Sequence, residues 1–135
     1  MTARGGFGPH LGYLLVVALD VSTTEHEQLV VVALAGEFDV YTVAAFRTEL
    51  ERVGHTVRPI IVDLTGVTLL DSSGIGALVS LLNQARSDGG SVGVICPRAP
   101  LRRVFEITGL RTAFVFGDDL EAVRAGLKAA SPPQQ

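Results

Sequence analysis

Apolar and polar positions alternate along this chain in two different periods, and the switches between them predict its elements. Leu14–Val21 is apolar save for Asp20 and reads as a strand. The polar run Ser22–Gln28 follows, and Leu29–Leu34 reads as a second strand. A polar link of that length favours an antiparallel hairpin with a loose turn. From Thr42 to Val53 the period changes, and Val43, Phe46, Leu50 and Val53 fall on one face of a helix. Thr42 stands where an N-cap belongs and Gly54 where a terminator does. Ile60–Leu64 reads as a strand, with Pro59 at its start, where a missing N–H does least harm.

The second half repeats the alternation. Ser73–Ala85 is a helix with Ile75, Leu78, Val79 and Leu82 in one stripe. Asp88-Gly89-Gly90 marks a turn, and Ser91–Cys96 a strand. Pro100–Thr108 reads as a short helix, with Pro100 in its first turn and Gly109 just past its end. Ala113–Phe116 is a short strand. Asp118–Lys128 is a last helix, with Asp118 as N-cap and Glu121 three residues on as a capping box. The order β-β-α-β-α-β-α-β-α predicts an α/β fold with a mixed β-sheet: an N-terminal antiparallel hairpin, then right-handed crossovers between parallel strands. It fits one domain over residues 14–128. Residues 1–13 read as a flexible N-terminal extension and residues 129–135 as a flexible C-terminal tail.

Composition narrows the function. The chain has 135 residues, 47% hydrophobic and 19% charged, enough for one core and too little for two. The net charge of −3 and the scatter of eleven Lys and Arg give no basic face, which disfavours direct binding of nucleic acid. The apolar run Leu11–Leu19 is shorter than the roughly 20 residues a membrane span needs. Arg4 and His10 are the only basic residues before it and no small-residue cleavage site follows, so it reads as a strand and the protein as cytoplasmic, without membrane attachment. A lone cysteine, Cys96, makes no intrachain disulfide and reads as a core thiol. His10, His26 and His55 lack metal-ligand spacing and read as surface residues.

Two loops carry the candidate chemistry. Gly36-Glu37-Phe38-Asp39-Val40-Tyr41-Thr42 leads from the second strand into the first helix, and Leu70-Asp71-Ser72-Ser73-Gly74-Ile75-Gly76 from the third strand into the second helix. Both lie at strand C-termini, where α/β folds place function. At the second loop a serine faces the unpaired N–H groups and partial positive charge of a helix start. Gly74 and Gly76 lack side-chain bulk, so a partner backbone has room to approach Ser72. The plainer reading is that Ser72 or Ser73 merely caps the helix. Enzymatic alternatives fail on the residues. No Lys follows the glycines as a phosphate loop needs, and Val79 stands where a dinucleotide motif needs its third Gly. No His follows His55, and the nucleophile elbow is absent. Asp39 and Asp71 form a carboxylate pair without a third catalytic group. No catalytic residue, cofactor or metal is assigned.

Taken together, the segments resemble a known family. Gly-Glu-Phe-Asp at residues 36–39 is similar to the Gly-Glu-hydrophobic-Asp segment of bacterial anti-sigma factor antagonists, which are STAS domains. Asp71-Ser72-Ser73-Gly74-Ile75-Gly76 resembles their Asp-Ser-Ser/Thr-Gly-hydrophobic-Gly segment, and Leu101–Leu110 their third helix with its Gly-Leu exit. Phe38 stands where a smaller aliphatic is common. The resemblance implies a protein that, unphosphorylated, binds an anti-sigma factor with serine kinase activity and so frees a sigma factor. The partner binds the ATP and phosphorylates the first serine after the Asp, here Ser72, with Ser73 the runner-up; a serine phosphatase resets the switch. The implied partner surface comprises Glu37, Asp39, Tyr41, Asp71, Ser72, Ser73, Gly74, Ile75 and Gly76, with Asp39 beside the serine. The resemblance leaves monomer and weak dimer both open. The alternative is a constitutive STAS scaffold or a small-ligand-sensing domain in a stress-signalling complex.

Overall fold

The computed structural model describes residues 19–130. Its elements are β1 (Leu19–Glu25), β2 (Val30–Phe38), α1 (Val43–Val53), β3 (Ile60–Leu70), α2 (Ser72–Ser87), β4 (Val92–Ile95), α3 (Ala99–Ile107), β5 (Val115–Gly117) and α4 (Leu120–Ala130). One five-stranded sheet runs in the order β1-β2-β3-β4-β5. β1 and β2 are antiparallel and every other pair is parallel. The mixed sheet with its leading hairpin is the predicted architecture. Residues 14–18 of the expected first strand, the extension 1–13 and the end of the tail lie outside the described residues.

The strand order explains how the layers form. Each parallel strand is added on the same side of the last, so right-handed crossovers deliver α1, α2 and α3 to one face of the sheet. Val30, Val32 and Leu34 of β2, Ile60, Val62 and Leu64 of β3, and Val92 and Val94 of β4 point into that face. They pack against Phe46 of α1, Leu78, Leu81 and Leu82 of α2, and Leu101 and Phe105 of α3. α4 follows the last strand and needs no crossover. It lays Val123 and Leu127 over the opposite face, against Leu29, Ile61 and Ile95. Successive residues of β2 and β3 point to opposite faces, and because helices cover both faces the two strands read as continuous apolar runs.

Several boundaries shift. β1 runs on through Ser22–Glu25, expected as a link, because these residues form the edge strand and pair with Ala33–Val30. β2 and β3 both run four or more residues past their expected ends, to Phe38 and Leu70. The Gly36 and Thr65-Gly66 positions that look like turns are absorbed by two register shifts, at which β3 carries an extra residue relative to β2. Asp63 Oδ1 accepts the Thr65 N–H at the first of these. Gly54 ends α1 as expected, with φ of 77°. Asp118 does not cap α4. It pairs with Arg102 at 3.1 Å, and Asp119 Oδ1 accepts the Ala122 N–H at 2.8 Å instead, so Glu121 falls out of phase for a capping box. His26 and His55 are exposed, and Cys96 is fully buried. Burial pushes the Cys96 thiol up to about 11, with Asp118 adding to the rise and Arg102 opposing it.

Candidate functional site

β2 and β3 are parallel neighbours, with Phe38 opposite Leu70. The loop after β2 and the start of α2 therefore leave the sheet side by side. Asp71 joins them. Its backbone is extended, with φ −107° and ψ −174°, and its side chain is the N-cap of α2. Oδ1 accepts the N–H groups of Ser73 at 2.9 Å and Gly74 at 3.1 Å. Oδ2 accepts the N–H of Val40, thirty-one positions away, at 3.1 Å. The Asp71 N–H donates to the Phe38 carbonyl at 3.3 Å. One carboxylate thus satisfies two orphan donors of a helix start and fixes the neighbouring loop.

The cap is Asp71, and neither serine is needed for it. Ser72 occupies the first turn of α2 and is exposed, while Ser73 is half-buried. The Ser72 hydroxyl is left open to solvent. The glycines behind it differ from each other. Gly74, expected to clear space for a partner, is buried and faces inward. A Cβ there would stand 2.8 Å from the Phe38 carbonyl oxygen and 2.8 Å from Leu70 Cδ1. Gly74 therefore lets α2 close onto the end of β2, and it contributes no contact surface. Gly76 is exposed, with nothing within 4 Å of an added Cβ. Ile75 is half-buried and packs on the core.

The first loop is built around Asp39 and Thr42, both buried. Asp39 Oδ1 accepts the Tyr41 N–H at 2.9 Å, and the Asp39 carbonyl accepts the N–H groups of Thr42 and Val43 at 3.1 and 2.9 Å. The Thr42 hydroxyl accepts the Asp39 N–H at 3.0 Å and donates to the Glu37 carbonyl at 2.7 Å. Thr42 therefore sits at the N-cap position of α1 without capping it through its side chain; it buttresses the turn from below. Asp39 makes its hydrogen bonds within its own loop, and none joins it to Ser72 among the described residues. Its hydrogen bonds cap the turn that leads into α1. Phe38 fills the space under both loops, fully buried and edge-on to Phe46 at 5.0 Å between ring centres.

This closed underside leaves an apolar rim on top. Val40 is 57% exposed, Tyr41 82% and Leu69 43%. Tyr41 was singled out in the sequence, but Val40 and Leu69 were not. Their signal is tertiary: Val40 stands in the loop between β2 and α1, Leu69 near the end of β3, and both stay exposed in the fold. Glu37 is half-buried beside them, and Leu69 pairs with it across β2 and β3. The end of the domain thus presents an unengaged serine hydroxyl, a carboxylate cluster held by backbone donors, and exposed apolar side chains.

Comparison with known proteins identifies the family. Residues 20–123 match the STAS domain family. The chain is 30% identical over 93 residues to an anti-sigma-B factor antagonist of Bacillus subtilis, a match covering 69% of this chain and 85% of that one. Among solved structures, it resembles an anti-sigma factor antagonist from Mycobacterium paratuberculosis with a TM-score of 0.69 and 23% identity, over 82% of this chain and 94% of that one. It also resembles the Bacillus cell fate determinant SpoIIAA in the phosphorylated form, with a TM-score of 0.61 and 23% identity, over 78% and 98% of the two chains. At such identity these structures show the shared fold. No helix among the described residues is long and apolar enough to cross a membrane.

Proposed function

Since the chain belongs to the STAS family, among the anti-sigma factor antagonists, we propose that it is a non-catalytic cytoplasmic switch that binds an anti-sigma factor through the Ser72 end of its domain and is released by phosphorylation of Ser72. The observation that carries this reading is the exposed Ser72 hydroxyl at the start of α2, beside the Val40–Tyr41–Leu69 rim. The partner is an anti-sigma factor that is also a serine kinase and supplies the ATP. A serine phosphatase returns the chain to its binding form. The phosphorylated form in which one structural relative is known supports the same reading.

The physics needs no refolding. A phosphate adds about −1.5 to −2 charge at pH 7. The donors of the helix start that would neutralise it, the N–H groups of Ser73 and Gly74, already bond Asp71. The phosphate therefore projects outward next to a carboxylate. Burying it against a partner costs several kcal/mol unless the partner pairs it. A loss of about 3 kcal/mol weakens binding roughly a hundredfold.

The test is incubation with the cognate anti-sigma kinase and ATP, read by intact mass and phosphopeptide mapping. One phosphate on Ser72 is expected in wild type and in Ser73→Ala, and none in Ser72→Ala. Calorimetric titration should show Ser72→Asp binding the unphosphorylated-state partner more weakly and Ser72→Ala binding it without release. Modification of Ser73 alone, or equal affinities for wild type and Ser72→Asp, would refute the assignment.

A further inference from the structure

The end of the sheet opposite Ser72 is left open. β5 is three residues long and begins at Val115, opposite Gly93, so Ser91 and Val92 have no strand beside them on that side. The gap is a crevice of about 540 Å³ at the start of β4. Its walls come from both layers: buried Leu82 of α2 from one face, buried Leu127 of α4 from the other, with Val92 and Phe114 between them. Val57 lines it too and stays 71% exposed. A second hollow of about 390 Å³ adjoins the first and shares Pro59, Ser91 and Leu127 with it. The charge around the two is one-sided. Arg86 lines the first, and Arg124 and Lys128, one turn apart on α4, line the second; no carboxylate lines either. Arg86 is tied to the wall by a bond to the Ala113 carbonyl at 3.3 Å. The side chains of Arg124 and Lys128 make no ion pair among the described residues. The nearby carboxylates are engaged elsewhere, Asp88 with His55 and Glu25 with Arg58, both at 2.9 Å. Glu27 lines a neighbouring hollow that Arg124 also borders.

We propose that this crevice binds a small organic anion, a carboxylate on an apolar body, with the body against Leu82, Val92, Phe114 and Leu127 and the carboxylate toward Arg124 and Lys128. The volume is that of a small-molecule site, which runs from about 300 to 1,000 Å³. Apolar walls supply the affinity, and a few polar groups on one side fix the orientation. The charge selects the class. In a chain of net charge −3, three cations border this one crevice, so a cationic ligand would meet only like charge there. An inorganic anion would leave the apolar walls uncovered. The crevice lies at the starts of β3 and β4, whereas Ser72 follows the end of β3, so binding here does not rest on the function proposed above.

Titration of the nitrogen-15-labelled full chain with decanoate, followed by NMR, tests this. Saturable shifts are expected at the amides of Ser91, Val92, Ala113 and Leu127, with Val40 and Tyr41 at the Ser72 end unmoved. Decanol, which has the body without the charge, should bind about tenfold more weakly, and decyltrimethylammonium should not bind. Arg124→Gln/Lys128→Gln should weaken decanoate about tenfold and leave decanol unchanged. Val57→Glu, which sets a carboxylate at the crevice, should weaken decanoate as well. All three positions are exposed, so these variants keep the fold. Shifts that do not saturate, or that centre elsewhere, would overturn the proposal. So would equal affinities for decanoate and decanol, or an Arg124→Gln/Lys128→Gln variant that binds decanoate as wild type does. If the chain sediments with phosphatidylglycerol vesicles and decanoate does not displace it, the cations serve a lipid surface and the proposal fails.

Discussion

Removing the Asp71 carboxylate should cost this domain more than a single helix cap. In Asp71→Ala the N–H groups of Ser73, Gly74 and Val40 all lose their acceptor. An N-cap replaced by Ala costs about 1–2 kcal/mol. The Val40 bond, made to a charged group and spanning two loops, adds about 1 kcal/mol once partial exposure and replacement by water are allowed for. The expected loss is about 2–3 kcal/mol, which lowers Tm by about 8–12 °C for a domain of around 100 residues. Asp71→Asn separates the two roles. Its amide oxygen still caps α2, but its NH2 group meets the Val40 N–H donor to donor. It should lose about 1 kcal/mol, the worth of the cross-loop bond alone. Urea and thermal unfolding followed by circular dichroism measure both. A loss below about 0.5 kcal/mol in Asp71→Ala, within the range of an ordinary surface change, would refute the clamp. Equal losses in the two variants would refute the division of labour between its oxygens.

The glycines of the site should respond oppositely. Gly74→Ala drives a Cβ into the Phe38 carbonyl and Leu70 and should cost about 1–3 kcal/mol, whereas Gly76→Ala, open and helical, should be neutral or stabilise by up to about 1 kcal/mol; thermal melts decide. Asp39→Ala strips the acceptor from the Tyr41 N–H and should cost about 1–2 kcal/mol in urea unfolding; a loss near zero would return Asp39 to a role in partner contact. The Cys96 thiol, pushed by burial to about 11, should resist a maleimide in the native state at pH 8 and react only on unfolding; rapid native labelling would contradict its burial.

Much of the fold was legible because its hydrophobic periods are clean. The α1 stripe of Val43, Phe46, Leu50 and Val53 has helical spacing, and the Val-rich run Val30–Leu34 is short enough, and β-branched enough, to read as a strand. The far halves of β2 and β3 were not legible, since Gly36 and Thr65-Gly66 carry turn chemistry that pairing and bulges override. At the site, the helix stripe after Asp71 located Ser72 at a helix start. The clamp could not be read locally, because its acceptor and the Val40 donor lie thirty-one positions apart and the donor is backbone. Gly74 and Gly76 look alike in the sequence, yet the helix phase turns one into the core and the other outward. Leu69 lies past the Ile60–Leu64 strand read from the sequence, and nothing local to it marks a side chain that stays 43% exposed.

β3 has a further consequence. β4 pairs only with Ile60–Asp63, so from Leu64 to Leu70 the strand is laddered to β2 on one side, with Arg98 touching the Val67 carbonyl at 3.3 Å on the other. The residues that lead into Ser72 are thus a cantilever anchored in the sheet. Amide hydrogen exchange along β3 should be graded, slowest at Ile60–Val62 and faster toward Leu70, because the outer half opens without breaking the inner ladder. In the switch proposed above, a kinase draws Ser72 into its own active site, and this graded opening gives the serine room for that small excursion. The fold can lend its tip to the partner while the core beneath stays closed.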